Sequence, residues 1–494
     1  MVPEMEIDTE NQMREKDNPN PNPNPNPNHE MRPSRSHRGR QVTPLEIVAY
    51  STDDPQIAPV PTAQPSAPPS VEKGNIHAYS GGYRNVLSLL VFILHILSAL
   101  AGMGFFGFRG IQAALRKGSE RFHIENWYPQ LVAAAGVGCV FSCVWQRVFI
   151  WRPVEMIYGA LWTSPALSFT ASLMLVSTSE SSSVGLGTIL LLFSISQALY
   201  ACWVNSRIKY ASKLLPKALF QTNKYPKLMH PSYWVILIAF IWISVWILGV
   251  VGAISQKYAA LSVMAFILSL GWVMEVLRNI VHVTTARVLA LFYLRGMQSN
   301  VHFSFQRAVT TSLGSISLGS ILVPFLEALQ VLGRAMNLVE GEDEFFFSCA
   351  HCYLRLMGYV FRFANNWGFV QVATYGKGFV EAAQDTWALF QARSLEPVIN
   401  QDLTSSLCVL SGVASGSLCI IVAGSWTFAT HKNLTATVSL LSFVIGYFMT
   451  RITMVVPQAC VCAYYVCYAE NPENREFEDN VISDRVRDFR RSMA

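Results

Sequence analysis

Nine stretches of about 20 predominantly apolar residues follow one another along this chain, near 85–108, 130–150, 154–177, 184–204, 233–254, 258–280, 306–330, 405–430 and 435–458. A bilayer's hydrocarbon core is about 30 Å thick and a helix rises about 1.5 Å per residue, so each stretch is long enough to cross it. In lipid, every backbone N–H and C=O must be bonded within its own segment, which selects helices over open sheets. The expected fold is an all-α polytopic membrane protein with the lipid bilayer as its solvent. Of 494 residues, 51% are hydrophobic and 14% charged, against about 25% charged in soluble domains, which argues strongly against a cytosolic enzyme.

The first 84 residues are a different material. They hold 14 of the 24 prolines, a strict Asn-Pro alternation from Asn18 to Asn28, and no apolar run able to build a core. Proline removes a backbone donor and pushes its predecessor out of the helical region, so residues 1–84 read as a disordered tail. Arg32-Pro-Ser-Arg-Ser-His-Arg-Gly-Arg40 is either a solvated spacer or a basophilic phosphorylation site at Ser34 or Ser36. The first 30 residues lack a signal-peptide core, so insertion is expected to begin at the first apolar run. This tail carries eight basic and eleven acidic residues while the chain totals +5, so the membrane body is the basic part. No concentrated basic face calls for a nucleic-acid partner.

Basic residues near helix ends stay cytosolic, which gives direction. The segment 205–231 carries Arg207, Lys209, Lys213, Lys217, Lys224 and Lys227 with no acid, and is expected to be a cytosolic loop. Counting from it places the amino terminus inside. Segment 109–128, with Arg109, Arg116, Lys117 and Arg121, objects because it counts as external. Asn433-Leu434-Thr435 is a glycosylation sequon between the last two runs, and the final tail, 471–494, is rich in arginine. An external Asn433 and an internal tail require one more crossing between 331 and 404, preceded by the acidic Glu340, Glu342, Asp343 and Glu344. A weaker candidate within 344–391, interrupted by Arg355, Arg362 and Lys377, makes ten transmembrane helices with both termini cytosolic.

No phosphate-binding loop, metalloprotease helix, nucleophile elbow or dinucleotide fingerprint occurs, so neither enzymatic catalysis nor a cofactor is expected. Cys349-Ala-His351-Cys352 lacks a second pair at metal spacing, and no metal is assigned. Cys460, Cys462 and Cys467 are either packed between helices or palmitoylated at the membrane edge. What remains is polar groups inside apolar helices, which are costly there unless paired or facing water. Trp272, Glu275, Asn279 and His282 recur at helical spacings and share one face, with Arg278 three residues from Glu275. That face either anchors a helix through a charge pair or surrounds a cationic solute. Small residues at Gly314, Ser315, Gly319 and Ser320 permit close helix approach, and Pro324 beyond them is expected to kink or break the helix. Tyr158, Trp162 and Trp426 add aromatic surface at membrane depth.

Asn365-Asn-Trp-Gly-Phe369, Tyr375-Gly376 and the residues through Ala383 resemble the signature of choline transporter-like proteins. Gly314, Ser315, Gly319 and Ser320 are similar to that family's glycine-serine helix. Glu275 to His282 resembles the branch lacking a long first extracellular loop, and Cys467 to Glu473 resembles the last helix exit. Phe369 replaces the signature tyrosine, Val380 a cysteine, Arg287 a glycine, and Cys462-Ala463 an Asp-Thr pair. The resemblance implies ten helices in the plasma membrane and transport of choline or a related small organic cation, facilitated or proton-linked. Trp272, Glu275 and Trp426, with Asn279 and His282, are the expected solute contacts, because a quaternary ammonium needs aromatic faces and negative charge. Asn365, Phe369, Tyr375 and Gly376 are expected to form a gate or broken helix. The alternative is a non-transporting, lipid-interacting scaffold. Oligomeric state is left open.

Overall fold

The computed structural model describes residues 82–115, 127–254, 258–339, 361–477 and 481–493. Helices form nearly all of it, and no strand occurs among the described residues. Helices α1 (Val86–Leu115), α2 (Tyr128–Trp151), α3 (Pro153–Val176), α4 (Ser181–Trp203), α6 (His230–Ile254) and α7 (Ala259–Arg295) each have the length and apolarity to cross a bilayer. So do α12 (Thr404–Cys419), which continues through a π turn at Ile420–Gly424 into α13 (Ser425–Thr430), and α14 (Thr435–Glu470). The chain is therefore an integral multi-pass membrane protein. Leu87, Leu94, Leu192, Leu199, Trp234, Leu261 and Leu268 are each more than half exposed, an apolar exterior that water would not tolerate and lipid does.

Two helices run furthest past their apolar stretches. α7 extends to Arg295 and α14 to Glu470, about 55 Å each at the helical rise, because both are buried by neighbours well past their lipid-facing portions. The basic segment expected as a loop is instead the amphipathic helix α5 (Asn205–Lys224). Its Ile208, Ala211, Leu214, Leu215, Ala218 and Leu219 recur at three and four and are buried, while Lys209, Lys213 and Lys224 face out.

The run at 306–330 is broken, but not at Pro324. α8 (Val301–Val309) meets α9 (Leu313–Val339) at a 72° bend. Thr310 and Thr311 hydroxyls donate to the carbonyls of Gln306 (2.9 Å) and Arg307 (3.3 Å), which also accept the backbone N–H groups of Thr310 and Ser312. α9 runs unbroken through Pro324. The tenth expected crossing appears, where described, as two short helices, α10 (Gly368–Tyr375) and α11 (Phe379–Ala392), joined by Gly376-Lys377-Gly378. Neither is long enough to span. Glu340, Glu342, Asp343, Glu344, Cys349, His351, Cys352 and Arg355 lie outside the described residues, as do residues 1–81 with Ser34 and Ser36, and Arg116, Lys117 and Arg121.

Polar seams fasten the bundle inside. Ser164 donates to Gln197 (2.5 Å), Ser168 and Ser417 share a hydrogen bond (2.9 Å), Gln146 donates to Ser232 (3.0 Å) and the Trp145 indole to Ser411 (2.9 Å). In lipid such bonds hold helices that have no hydrophobic reason to associate. Cys460, Cys462 and Cys467 are buried in the same packing, with Cys460 Sγ 3.0 Å from Thr222 Oγ1, so packing is the reading the structure favours for them.

Residues after α14 fold back onto one end of the bundle. Phe477 sits 3% exposed among the rings of Tyr293, Tyr464 and Tyr468, and Asn474 donates to the Tyr293 carbonyl. The last helix, α15 (Val481–Met493), lies on α5: Arg485 donates to Gln401 (2.7 Å) and stands over the Tyr210 ring. Burial pushes the Tyr210 phenol up, even though its oxygen shares a 2.9 Å hydrogen bond with Tyr465.

Candidate functional site

Four charged side chains lie near the midpoints of three long helices: Glu275 and Arg278 on α7, Glu327 on α9 and Arg451 on α14. Each is costly at that depth, by about 2.5–3.5 kcal/mol for a residue placed at the centre of an inserted helix, so their convergence requires compensation. Arg278 and Glu275 supply part of it. The guanidinium donates to the carboxylate at 2.5 Å and, through its other terminal nitrogen, to Gln458 at 2.7 Å, and Gln458 in turn donates to Ser405. The i, i+3 spacing on one helix makes this pair possible.

Glu327 has a different setting. Ile316, Ser320 and Val323 are buried and recur with Glu327 at spacings of three and four, which makes one stripe of α9 face inward. Ile321 and Phe325, 44% and 59% exposed, point the opposite way, to lipid. Glu327 belongs to the inner stripe yet keeps an exposed side chain. It accepts a 2.8 Å hydrogen bond from the Asn366 amide, and the charges of Arg278, Arg451 and Glu275 all act on it. Arg451 is 7% exposed, and its Nε is buried without a hydrogen-bond partner.

The expected solute residues divide. Trp272 stacks at 4.5 Å on His95 and 5.3 Å edge-on to Phe92, and donates to the Ser317 carbonyl, tying α7 to α1 and α9. Asn279 donates to Ser320 at 2.9 Å, one element of the same α7–α9 seam. His282 is fully buried with neither ring nitrogen bonded, its ring 5.4 Å from that of Phe369. Trp272 and Asn279 thus bond to α9, His282 meets α10 at Phe369, and Glu275 is bonded by Arg278 on α7 itself. Trp426 does not join them; it is 44% exposed on α13, which packs against α14. Asn433 is exposed in the turn Lys432–Leu434 between the last two spans.

The motif residues build the break itself. Asn365 donates to the Ala383 carbonyl and accepts from Gly368 N, joining the start of α10 to α11. Gly376, at φ 66°, ends α10 in the left-handed region that glycine tolerates. Tyr375 donates to Glu470 at 2.7 Å and Gln371 to the same carboxylate at 2.8 Å. Phe369 is fully buried between His282 and Phe379, whose ring is 4.9 Å away. A side chain at Gly319 would stand 2.6 Å from Phe379 and 2.7 Å from Phe369, and one at Gly314 would stand 2.4 Å from the Arg84 carbonyl. Only glycine lets α9 pass both the half-helices and the start of α1. Ser315 donates to Asn85 Oδ1 (3.0 Å), which also receives Phe379 N, so one end of α1, α9 and α11 is closed by a single amide. Lys377 pairs with Asp385 at 2.5 Å beside it.

Arg287, where the resembled pattern has glycine, donates to the Ala373 carbonyl at 3.0 Å. A cation at the carboxyl end of α10 bonds a carbonyl that the broken helix leaves open. Sequence inspection missed Glu327, Arg451, Gln458 and Asn366 as members of one cluster. Each lone charge in an apolar run was the available signal.

A protein-family model described as plasma-membrane choline transporter matches residues 188–473, more than half of the chain and every element of this cluster. A CTL-like protein of Dictyostelium discoideum is 27% identical over 302 residues, 58% of this chain and 54% of that protein. Protein PNS1 of Gibberella zeae is 31% identical over 206 residues, 39% of this chain and 38% of the relative, and protein pns1 of Aspergillus fumigatus is 24% identical over 219 residues, 41% of each. The chain thus spans about half or less of the length of the relatives it matches. With a multi-pass bundle and a glycine-hinged broken segment already in place, the extent of the match carries the assignment: the chain belongs to the choline transporter-like family.

Proposed function

We propose that the protein is a secondary transporter that moves choline or a related small organic cation by alternating access, without catalysis or a cofactor. The observation that carries this reading is the convergence of four charges, at the midpoints of α7, α9 and α14, on the irregular segment that precedes α10, joined to it by the hydrogen bond from Asn366 to Glu327. Irregular backbone is tolerated at membrane depth only where it is enclosed by protein or lines a water-filled space, and transporters place their sites at such breaks. A quaternary ammonium donates no hydrogen bonds; aromatic faces and carboxylates suit it, each cation–aromatic contact contributing about 0.5–2 kcal/mol. The Trp272–His95–Phe92 stack and the Glu275 and Glu327 carboxylates supply both kinds of group. The closure at Asn85, Ser315 and Phe379 serves as the gate at one end, and Gly314 and Gly319 let α9 move against it.

The same reading sets sidedness. α5 and α15 lie on one another at one end and are strongly basic, which favours the cytosol for that end, both termini and the tail 471–494, with Asn433 outside and the plasma membrane as the site of action. The body then runs over 85–470, preceded by the 1–84 tail. Radiolabelled choline uptake into vesicles holding the purified protein tests the proposal. Uptake above that of protein-free vesicles, reduced by Trp272→Ala, is the expected result. Uptake equal to that of protein-free vesicles rejects transport of choline.

A further inference from the structure

We infer that Glu327, not Glu275, is the carboxylate that binds the cation, a step that rests on the transport reading above. Two carboxylates approach the centre of the bundle, and their surroundings separate their roles. Glu275 is 13% exposed in its side chain and is already neutralised in contact by Arg278, whose position Gln458 fixes from α14. A solute cation arriving there would have to displace a guanidinium that is itself buried, leaving that guanidinium without its anion.

Among the described residues, Glu327 has no such partner in contact. Its hydrogen bond comes from the neutral amide of Asn366, and no ion pair within 4 Å forms at it among the described residues. It is the exposed member of an otherwise buried inner stripe, so a solute can reach it without unpacking the bundle. Arg451 and Arg278 act on it from beyond ion-pair distance. Coulomb energy falls inversely with separation, so a cation in contact with the carboxylate is attracted more strongly than either more distant guanidinium repels it, and Glu275 offsets the charge of Arg278. The two arginines then define selectivity: they disfavour a second cation and hold the site to one positive charge. Asn366 directly follows Asn365, which joins α10 to α11, so the anion is fastened to the broken segment. Movement of α10 against α9 therefore changes the hydrogen bonding of the group that holds the solute.

The test uses the full chain in nanodiscs and two ligands of nearly equal shape: choline and 3,3-dimethylbutan-1-ol, its uncharged carbon isostere. Competition binding should show choline preferred by about ten-fold or more, the ratio produced by each 1.4 kcal/mol of charge recognition. Glu327→Gln retains an acceptor for Asn366 and should bring that ratio close to one while affinity for the isostere stays the same. Glu327→Asp, which keeps the charge, should restore part of the preference. If Glu327→Gln keeps the wild-type ratio, or weakens both ligands alike, the carboxylate is structural and the inference is overturned. If the wild-type protein binds neither ligand, the transport reading falls, and the inference with it.

Discussion

Replacing Arg278 by Met removes a buried cation from the middle of the bundle and strands the groups around it. In the wild type, Arg278 donates to Glu275 at 2.5 Å and to Gln458 at 2.7 Å, and is 2% exposed. Methionine fills much of the volume but donates nothing. Breaking a buried pair from one side costs about 3–5 kcal/mol, because the remaining charge stays desolvated. The unfolded chain in a micelle keeps its helices and finds other partners, which favours the lower half of that range. Denaturant-induced unfolding of the solubilised protein should therefore show a loss of about 3 kcal/mol for Arg278→Met. The double variant Arg278→Met, Glu275→Gln should recover most of it, since removing both charges removes the penalty, and the coupling read from the cycle should reach about 1–3 kcal/mol. A loss below about 1 kcal/mol for Arg278→Met, the range of exposed ion pairs, would refute the claim that this pair is buried and holds α7 to α14.

Two further substitutions probe the broken segment. Gly319→Ala places a methyl 2.6 Å from the Phe379 ring and should cost about 1–3 kcal/mol through overpacking, with uptake falling more than expression does; unchanged stability and uptake would show that α9 does not pass close to the half-helices. Arg287→Gly removes the charged donor to Ala373 O and should cost about 1.5–3 kcal/mol, read as faster hydrogen exchange over residues 368–376, and no change in exchange there would disprove the capping role.

Much of the architecture was legible because the bilayer imposes a length. Nine apolar runs became spanning helices, with the run at 306–330 bent where α8 meets α9, and the acid-free segment at 205–231 was legible as basic. Its secondary structure was not: the lysines dominated the reading, while Ile208, Ala211, Leu214, Leu215, Ala218 and Leu219 recur at helical spacing and bury against the bundle. Proline was a poor guide to the break in α9. Pro324 lacks only one donor, and the rest of the helix continues around it, whereas Thr310, Thr311 and Ser312 offer side-chain and backbone donors that stabilise an interruption.

The candidate site divides the same way. Spacing alone placed Trp272, Glu275, Asn279 and His282 on one face, since helical periodicity is a local property. The sequence by itself therefore determined the number of strong spans, the helical class, the polar face of α7 and the motif that signals the family. Only the tertiary structure decided that Glu275 is neutralised by Arg278, that Trp426 lies on the outside, and that Glu327 and Arg451 come from helices far apart in sequence to share one interior. Local periodicity fixes which side of a helix a residue occupies. Which other helix meets that side depends on the packing of the whole bundle, and in an apolar interior that packing decides which charges are paired and which remain open to a solute.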